Sequence, residues 1–494
     1  MTASPPRTEP TRADSGTDPV ISSALESALP APGPKGLALV RTLCAIPNAQ
    51  LATLAACVAR YGDVVSLPAG RLSYMLLTDP DHVAHVLIAN GRAYRKSPNY
   101  TELELILGKG LLTSEGELWK RQRRIAQPTF NKRSVARFVP LVTRLTGELL
   151  GEWRRRGPGA ELDAAEDLTR LTLQVVGHAL FSKDLSAEAD KLGGALRTAL
   201  PIVQRRTEVL FNLPSWLPLP SNLRLRRAVR ELDRLVGDLV AERRAERKDV
   251  DAGADGVDPS AGPVQGGDFL SLLIRAQDPE TGERMSDRQV RDEVMTFLLA
   301  GHETTANALA WTFYLLGQHP EVEVRLRAEA REVLGGRPPA LEDLPRLEVA
   351  RRVALESMRL YPPAWMMERQ ALEDDAVGGY RIPRGTTLLL SPYLVQRRAD
   401  LWEDPLRFDP DRFAPERARG RHRCAYFPFG AGQRQCIGEA LAMAELQLIL
   451  SMIVQETSLE LVPGHPVEPE AGITLRPKHG LRVRLRPVAN GGAS

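Results

Sequence analysis

Apolar residues recur at three- and four-residue spacing through most of the chain between residues 115 and 365. This spacing puts apolar side chains on one helix face and predicts a succession of amphipathic helices. The longest of these covers residues 288–318. Outside that stretch the same pattern predicts helices over residues 47–61, 79–89 and 438–454. The chain is therefore predicted to be mainly α-helical.

Shorter apolar runs predict a minor sheet component. Two strands are predicted at Val64–Leu67 and Ser73–Leu77, because proline and glycine separate two runs of strand-forming residues. Further short strands are predicted near residues 376–395 and after the last helix. The Pro- and Arg-rich stretch 399–428 is predicted to be irregular. The predicted fold class is thus mainly α with small β-sheets.

Three segments interrupt the helical pattern. Residues 1–36 are rich in Pro, Ser, Thr and charge, which predicts a disordered N-terminus. Three prolines predict a loop between helices at 211–221. Residues 249–267 are rich in Asp, Gly and Pro and predict a flexible surface connection. Because helices of the same character continue on both sides of that connection, residues 37–494 are predicted to form one domain.

Composition and charge exclude some classes of function. The 494 residues are 43% hydrophobic and 26% charged, which is ordinary for a globular protein. A net charge of +3 does not indicate a nucleic-acid binder. Basic residues cluster at 120–124, 224–227 and 419–423. A solvated face is the simpler interpretation of each cluster, and a surface that steers an acidic protein partner is the alternative.

The cysteines and the N-terminus bear on cellular location. The four cysteines have no Cys-x-x-Cys spacing and do not indicate a disulfide framework, so a reducing cytoplasm is expected. The N-terminus lacks the features of a signal peptide. No stretch approaches the ~20 apolar residues needed to span a bilayer, so no membrane anchor is expected.

The strongest local signal is a Gly-rich turn, 429–438, that carries Cys436 and precedes an apolar helix. Gly432 and Gly438 are predicted to allow backbone geometry that a Cβ would obstruct. The positive end of the following helix favours a thiolate, which can ligate iron. Arg434 is placed to neutralise a haem propionate, and Phe429 to shield the sulfur. For a lone cysteine a buried structural role is the usual alternative, and Cys44, Cys57 and Cys424 are interpreted in that way.

Five spaced residues of this turn, Phe429, Gly432, Arg434, Cys436 and Gly438, resemble the cytochrome P-450 pattern. Chance alone should produce such a match in about one chain in 10,000 of this length. The resemblance covers roughly residues 32–485. It implies a single-domain cytochrome P-450 fold and a haem-thiolate monooxygenase, with haem b as cofactor and Cys436 as the iron ligand.

The segment Glu356-Ser357-Met358-Arg359, followed by Leu-Tyr-Pro-Pro, resembles the Glu-x-x-Arg helix of that family. Alone, such a pair is usually a solvated surface pair worth less than ~1 kcal/mol. The segment 409–413 resembles the family segment that supplies a third member, Arg412. The resemblance implies a buried triad that fixes the loop leading to Cys436.

Three more residues resemble haem-propionate ligands of the family. Trp119 and Arg123 share one face of a predicted helix, and Arg369 precedes the short strand region. A half-buried tryptophan with a surface arginine is an equal alternative for the first pair. Gln396 is a departure, because many relatives have histidine there. Whether it alters a haem contact is open.

The segment Ala300-Gly301-His302-Glu303-Thr304-Thr305 places polar groups inside a long apolar helix, which is locally costly and typical of a functional site. It resembles the family's acid–alcohol pair. Thr304 could bond back to a helix carbonyl and hold a water, and Glu303 could relay protons. Gly301 would leave a gap for dioxygen, and Ala300 would contact the haem. For a lone threonine, a hydroxyl satisfied by its own helix is the usual alternative, and His302 is given no role.

The resemblance also implies the substrate and partners. The substrate wall would include residues 95–112, 296–297, 364–367 and 471–474, which indicates a hydrophobic small molecule. The pattern is similar to bacterial enzymes of secondary metabolism, including terpene oxidation. A monomer is expected, with O2 as co-substrate and electrons from a separate ferredoxin or flavodoxin and its reductase. A haem-thiolate gas sensor without turnover and a peroxide-driven oxygenase are the alternative functions.

Overall fold

The structure, a computed structural model, describes residues 25, 27–130, 132–181, 186–208, 214–251 and 268–488. The α-helices of these residues, in chain order, are α1 Gly36–Tyr61, α2 Pro80–Ala84, α3 Tyr100–Leu107, α4 Gly116–Ala126, α5 Lys132–Arg156, α6 Ala164–Phe181, α7 Ser186–Glu208, α8 Pro220–Asp251, α9 Phe269–Arg275, α10 Asp287–Gln318, α11 Pro320–Leu334, α12 Glu348–Leu360, α13 Pro392–Val395, α14 Pro415–Ala418 and α15 Glu439–Glu456. The strands are β1 Val64–Ala69, β2 Leu72–Leu77, β3 Tyr94–Lys96, β4 Glu161–Asp163, β5 Met367–Ala371, β6 Asp375–Val377, β7 Tyr380–Ile382, β8 Thr387–Leu390, β9 Thr457–Leu461, β10 Pro469–Ala471, β11 Leu475–Pro477 and β12 Arg482–Pro487. The predicted class, mainly α with small β-sheets, is confirmed.

The largest sheet has the strand order β1-β2-β8-β5-β3. Strands β2 and β8 pair in parallel, although more than 300 residues separate them, and the other neighbours are antiparallel. The register of β3 and β5 sets Lys96 directly opposite Arg369. The smaller sheets are β4-β12-β9, β6-β7 and the hairpin β10-β11. The largest sheet therefore brings two cations from distant segments side by side.

Helix α10 runs through the helical layer. Its N-cap is Ser286, whose side chain forms a capping box with Gln289. It packs along α6 and also contacts α8, α12 and α15. Most of its side chains are buried on all sides, which explains why its sequence is apolar around most of its circumference. The polar residues at 303–305 thus lie in the interior of the fold.

The predicted triad is confirmed. Glu356 and Arg359 are completely buried on α12 and form an ion pair of 2.7 Å, and the Arg412 guanidinium lies 3.4 Å from Glu356. Arg359 also donates to the carbonyls of Gln396 and Pro405, at 2.8 and 2.7 Å. Because these two carbonyls belong to the loop 396–412, the triad fixes that loop against α12.

The irregular segments differ in part from prediction. Residues 252–267 of the predicted flexible connection lie outside the described residues, while 249–251 belong to α8. Residues 211–213 of the predicted loop 211–221 also lie outside the described residues, and α8 already begins at Pro220. The predicted disorder up to residue 36 is wrong for its last part. Leu29 pairs with the β6–β7 hairpin through two backbone hydrogen bonds of 2.9 Å, and the carbonyl of Pro32 accepts from Ser66 at 2.7 Å. Residues 1–24 and 26 lie outside the described residues.

Helix α1 was not anticipated at its full length. It starts at Gly36, continues through Pro47 with a break in helical geometry at Ala49, and among the described helices it alone is long and apolar enough to cross a membrane. The expectation that no segment approaches that length is therefore wrong for α1. Only 11% of its most apolar window is buried, although Leu54 and Cys57 pack into a core cluster with β1 and β2.

Candidate active site

A cavity of about 900 Å³ lies between α10, the turn that carries Cys436 and the β10–β11 hairpin. Most of its lining side chains are apolar. All ten predicted site residues line this one cavity: Trp119, Arg123, Ala300, Glu303, Thr304, Arg369, Phe429, Arg434, Cys436 and Gly438. They come from four separate segments of the chain, so the fold assembles the predicted set.

The turn before α15 presents Cys436 to the cavity. The turn closes through a hydrogen bond of 2.9 Å from the Cys436 N–H to the Phe429 carbonyl. Gly432 has φ +70°, and a Cβ there would lie 1.9 Å from the Leu87 carbonyl oxygen, so the predicted need for glycine is confirmed. The same prediction is wrong for Gly438. Its φ is −94°, and a Cβ would lie 3.9 Å from Phe130, which is ordinary contact.

Cys436 lines the cavity, where part of its surface is exposed, although protein atoms surround the thiol on most sides. Burial raises its pKa, while the N–H groups of Gly438 and Glu439 and the charge of Arg123 lower it. The predicted effect of the helix N-terminus is present, but burial outweighs it. A metal ion bound to the sulfur would supply the remaining stabilisation of the thiolate.

Arg434 and Trp119 form one unit rather than two separate contacts. The guanidinium carbon of Arg434 lies 3.7 Å from the centroid of the Trp119 ring. Arg434 also pairs with Glu115 and donates to the Ser114 carbonyl at 3.1 Å. Burial, with the neighbouring charge of Arg369, lowers its pKa to about 10, against the attraction of Glu115. The unit sets a partly buried cation in the cavity wall.

Lys96 and Arg369 add to this positive charge. Both are at least nine-tenths buried, line the cavity, and face each other across the β3–β5 register. Burial and the charge of Arg434 lower the pKa of Lys96 well below its usual value. Arg123 is the fourth cation and donates to the Gln435 carbonyl at 3.0 Å. Lys96, Arg123, Arg369 and Arg434 thus place four basic side chains in this part of the cavity wall, which fits a ligand that carries two carboxylates, as haem does.

Helix α10 contributes the acid and the hydroxyl. The Thr304 hydroxyl donates to the Ala300 carbonyl at 2.6 Å, as predicted. Glu303 Oε1 accepts from the hydroxyl of Thr474 at 2.7 Å, a partner that the sequence did not indicate. His302 is buried away from the cavity and bonds to the Leu298 carbonyl at 2.6 Å, in agreement with its having no predicted role.

Gly301 allows a close approach between helices. A Cβ there would lie 2.9 Å from Cγ2 of Val176 on α6, so a larger residue would push the two helices apart. Glycine is thus required for the packing of α10 on α6. The predicted gap for dioxygen at this residue stays a prediction.

The four predicted wall segments all line the cavity, among them Trp365, Met366, Met367 and Ile473. The wall also includes residues that the sequence did not indicate. Leu43, Ile46 and Pro47 of α1 belong to it, as do residues of α6 and α9. The first half of α1, which is poorly buried, therefore forms part of the cavity.

Gln396 does not line the cavity. It is completely buried, and its amide nitrogen donates to the carbonyls of Met358 and Arg359 at 3.0 and 3.1 Å. Its oxygen accepts from the Phe427 N–H at 3.0 Å. The glutamine therefore ties the end of α12 to the chain just before the Cys436 turn, which is a structural role.

The basic cluster at 120–124 is largely neutralised within the chain. Lys120 pairs with Glu117, Arg121 with Glu283 and Arg124 with Asp278, and Arg123 faces the cavity. In the cluster at 419–423, Arg421 is half-buried against the ring of Trp402, at 4.2 Å. In the cluster at 419–423, Arg419 and Arg423 remain exposed. The expected docking surface is thus smaller than the sequence indicates.

Glu115 was not predicted from the sequence, and Lys96 and Thr474 were predicted only as members of the substrate-wall segments 95–112 and 471–474, without their polar contacts. Lys96, Glu115 and Thr474 each sit in an ordinary polar context, where no spacing distinguishes them. The strand pairing brings Lys96 and the hairpin turn brings Thr474 to the cavity, while Glu115 reaches it only through its ion pair with Arg434. A residue contact that depends on such long-range pairing has no local pattern.

The family model described as cytochrome P-450 matches residues 31–482. Cyclooctat-9-en-7-ol 5-monooxygenase of Streptomyces melanosporofaciens is 39% identical over 82% of this chain and 84% of its own length. Cyclooctatin synthase of the same organism is 37% identical over 90% and 92%. Pentalenene oxygenase of Streptomyces avermitilis is 34% identical over 86% and 90%.

A solved structure of the same family has a similar fold. The crystal structure of the cytochrome P450DA haem domain superimposes with a TM-score of 0.81 and 29% identity, and covers 93% of this chain and 98% of its own. The match extends over both the helical layer and the sheets, because so little of either chain is left uncovered.

Proposed function

This chain belongs to the cytochrome P-450 family and is an oxidoreductase of the monooxygenase type, and we propose that it inserts one oxygen atom of O2 into a C–H bond or double bond of a terpenoid. One observation carries the proposal. Cys436 lines the same largely apolar cavity as the acid–hydroxyl pair Glu303 and Thr304. A thiolate iron ligand, a source of protons and an apolar binding space are the three requirements of that reaction.

The cofactor that fits this cavity is haem b. Cys436 would ligate the iron, and Arg123, Arg369 and Arg434 would bind the two propionates, with Trp119 behind Arg434. Lys96 is positioned to assist them. Phe429, Ala300 and Gly438 would contact the macrocycle. No Cys-x-x-Cys-His run is present in the sequence, which favours a haem held without covalent attachment.

Bound haem with a thiolate ligand supplies the activation and cleavage of O2. The residues of α10 supply protons. The Thr304 hydroxyl uses its proton on the Ala300 carbonyl, so its oxygen is left to accept from a water in the cavity. Glu303 would pass protons to that water, since a carboxyl group both accepts and donates them. The apolar wall would exclude further water from the reacting atoms.

The substrate class rests on the cavity and the relatives. A volume of about 900 Å³ suits a polycyclic hydrocarbon skeleton, and Trp365, Met366 and Met367 form a bulky, adaptable wall. The names of two relatives specify cyclooctat-9-en-7-ol and pentalenene as compounds on which those proteins act. A terpene hydrocarbon or terpene alcohol is therefore the proposed substrate.

Electrons would come from a separate ferredoxin or flavodoxin with its reductase. Arg419 and Arg423 are the exposed part of a basic cluster and could contact an acidic partner. We propose that the protein is a monomer. We also propose that it works in the cytoplasm, because its four cysteines are free, as is usual in a reducing compartment. Because Leu54 and Cys57 of α1 pack into the core, that helix would act within the fold and not as an anchor.

The first experiment is the absorption spectrum of the reduced, carbon-monoxide-treated protein. We expect a strongly red-shifted Soret band in the wild type and its loss in Cys436→Ser. Cys44→Ser serves as the control, because Cys44 is an exposed cysteine outside the cavity lining. A band typical of imidazole-ligated haem in the wild type, or no haem band in folded protein, would contradict the proposed function.

The substrate class is tested by binding and turnover. Cyclooctat-9-en-7-ol and pentalenene should each shift the Soret band of the oxidised protein if the cavity admits terpenoids. Mass spectrometry after turnover with a ferredoxin and its reductase should then show addition of one oxygen atom. Absence of both responses for a wider terpenoid panel would refute the substrate class without affecting the thiolate assignment.

A further inference from the structure

The acid on α10 is held from outside its own helix. Thr474, in the turn between β10 and β11, donates its hydroxyl proton to Glu303 Oε1 at 2.7 Å. Thr474 is only 7% exposed, so little water competes for this bond. Its neighbours in the turn, Gly472 and Ile473, also line the cavity. The turn therefore contacts both the substrate space and the acid.

Asn307 fixes the direction of that hydrogen bond. It follows Glu303 by one helical turn, is 7% exposed, and its Nδ2 donates to the Thr474 hydroxyl oxygen at 3.0 Å. A hydroxyl has a single proton. Because the Thr474 oxygen accepts from the amide, its own proton is directed to Glu303. The three side chains form an ordered chain, Asn307 to Thr474 to Glu303.

The turn is itself fastened to the rest of the cavity wall. Trp311 Nε1 donates to the Leu475 carbonyl at 3.0 Å, and the Leu475 N–H donates to the Pro363 carbonyl at 2.9 Å. Trp365 Nε1 donates to the Gly472 carbonyl at 2.8 Å. These bonds secure the turn on both sides of Thr474. The hydroxyl is thus fixed relative to α10.

We propose that Thr474 is a positioning residue that holds one oxygen of Glu303 and leaves the other for proton transfer. The proposal rests on the proposed function, in which Glu303 passes protons towards the bound O2. A glutamate side chain has three rotatable bonds, and a catalytic group must stay within about 0.5 Å of its productive place. Among the described residues, Glu303 Oε2 has no hydrogen-bond partner. Thr474 therefore orders the carboxylate without using both of its oxygens.

Two substitutions of Thr474 separate the contribution of its hydroxyl from that of its side-chain shape. Thr474→Val removes the hydroxyl and keeps the branched shape, while Thr474→Ser keeps the hydroxyl. Thr457→Val is the matched control, because Thr457 is also a buried threonine, at the start of β9, and its hydroxyl bonds to backbone carbonyls outside the cavity lining. All three proteins should retain the thiolate spectrum of the wild type.

The first readout is structural and does not depend on turnover. In crystal structures of the haem-loaded proteins, Glu303 should keep its hydrogen bond to residue 474 in the wild type and in Thr474→Ser. In Thr474→Val the carboxylate should leave that place or become disordered. An unchanged, ordered Glu303 in Thr474→Val would overturn the proposal.

The second readout is the yield of product per NADPH consumed, with 7-ethoxycoumarin as the probe and a plant-type ferredoxin and reductase as the electron source. Thr474→Val should lose about tenfold in this yield, the equivalent of one hydrogen bond to a charged group. Thr474→Ser should stay within about twofold of the wild type. Equal losses in the serine and valine variants would indicate a merely structural role and would overturn the proposal.

Glu303→Gln distinguishes this proposal from the proposed function. If Glu303→Gln lowers the yield and Thr474→Val adds nothing in the double variant, Thr474 acts through Glu303. If the two losses multiply, Thr474 acts independently and the positioning proposal fails. If Glu303→Gln leaves the yield unchanged, the proton-transfer role of Glu303 in the proposed function fails instead.

Discussion

At the residue scale, local contacts were predictable and distant ones were not. The bond from Thr304 to Ala300 follows from the four-residue repeat of a helix, so the sequence predicts it. The bond from Thr474 to Glu303 joins residues 171 positions apart, and no local rule indicates it. Gly438 is an error of another kind. The motif led to the prediction that its backbone geometry requires glycine, and its φ of −94° does not support that requirement.

Thr304→Ala should uncouple electron use from product formation. The variant loses the oxygen that would hold a water near the bound O2, so protons would arrive less reliably. We expect the yield of product per NADPH to fall by about tenfold, with the thiolate spectrum unchanged. The measurement is product by mass spectrometry against NADPH consumed and hydrogen peroxide released.

Thr312→Ala is the matched control for that variant. Thr312 lies two turns further along α10, and its hydroxyl makes the same bond to the carbonyl four residues earlier, at 2.7 Å. Its loss should leave the yield as it is, because Thr312 does not line the cavity. Retained coupling in Thr304→Ala would argue against the proton role.

Glu293 should make stability depend on pH. Burial raises its pKa to about 8, and Asp292 adds to the rise, against the Leu111 N–H and the charge of Lys96. Since the folded-state pKa exceeds the usual value of 4.5, this contribution to stability is complete below about pH 4.5 and is lost as pH rises through 8. The Tm of the wild type should therefore fall between pH 6 and pH 8.5, and fall less in Glu293→Gln.

The glutamine variant keeps an acceptor for the Leu111 N–H, so the difference reports on the ionisation alone. Differential scanning fluorimetry at both pH values gives the four melting temperatures. Identical pH dependence in the two proteins would show that Glu293 ionises in the folded protein much as it does in water.

At the element scale, α12 shows what a motif predicts and what it leaves open. The sequence predicted that Glu356, Arg359 and Arg412 would meet and would be buried. It did not predict that the arginine would bind three carbonyls of the loop 396–407, because an irregular loop has no pattern of its own. Gln396, a departure from the family pattern, proved to be part of the same connection.

Arg359→Ala should destabilise the protein strongly. The change leaves Glu356 buried without its closest cation and frees the loop carbonyls, at a cost of about 3–5 kcal/mol. Arg325→Ala removes an exposed arginine that pairs with Asp411 and should cost less than ~1 kcal/mol. Urea unfolding of both variants measures the difference. Equal costs would contradict the view that burial gives the triad its importance.

At the scale of the whole molecule, topology collects the site. The sequence predicted each site residue separately, since motifs are local. The parallel pairing of β2 with β8 and the pairing of β3 with β5 join segments about 300 residues apart, and only these pairings bring Lys96 to Arg369. For the same reason, the contribution of α1 to the cavity could not be read from its apolar pattern.

Arg369→Met should move two properties in opposite directions. The change removes one of two like charges that face each other in a buried register, so the Tm of the apoprotein should rise by about 2 °C. Retention of haem should fall by about tenfold, because a propionate loses its partner. Scanning fluorimetry and haem transfer to apomyoglobin measure the two effects.

The control is Arg381→Met, which removes an exposed arginine that pairs with Asp374. It should change neither property by a comparable amount. A lower apoprotein Tm in Arg369→Met would show that Arg369 stabilises the sheet even without a carboxylate ligand.

The paired cations of β3 and β5 have a consequence for production of the protein in cells. Two like charges held side by side lower the free energy of unfolding until the two carboxylates of haem bind beside them. We therefore expect proteases to degrade newly made protein more readily before it binds haem than afterwards. The amount of protein that accumulates would then follow the haem supply of the host more closely than the rate of translation. A host fed with a haem precursor should yield more protein from the same messenger RNA.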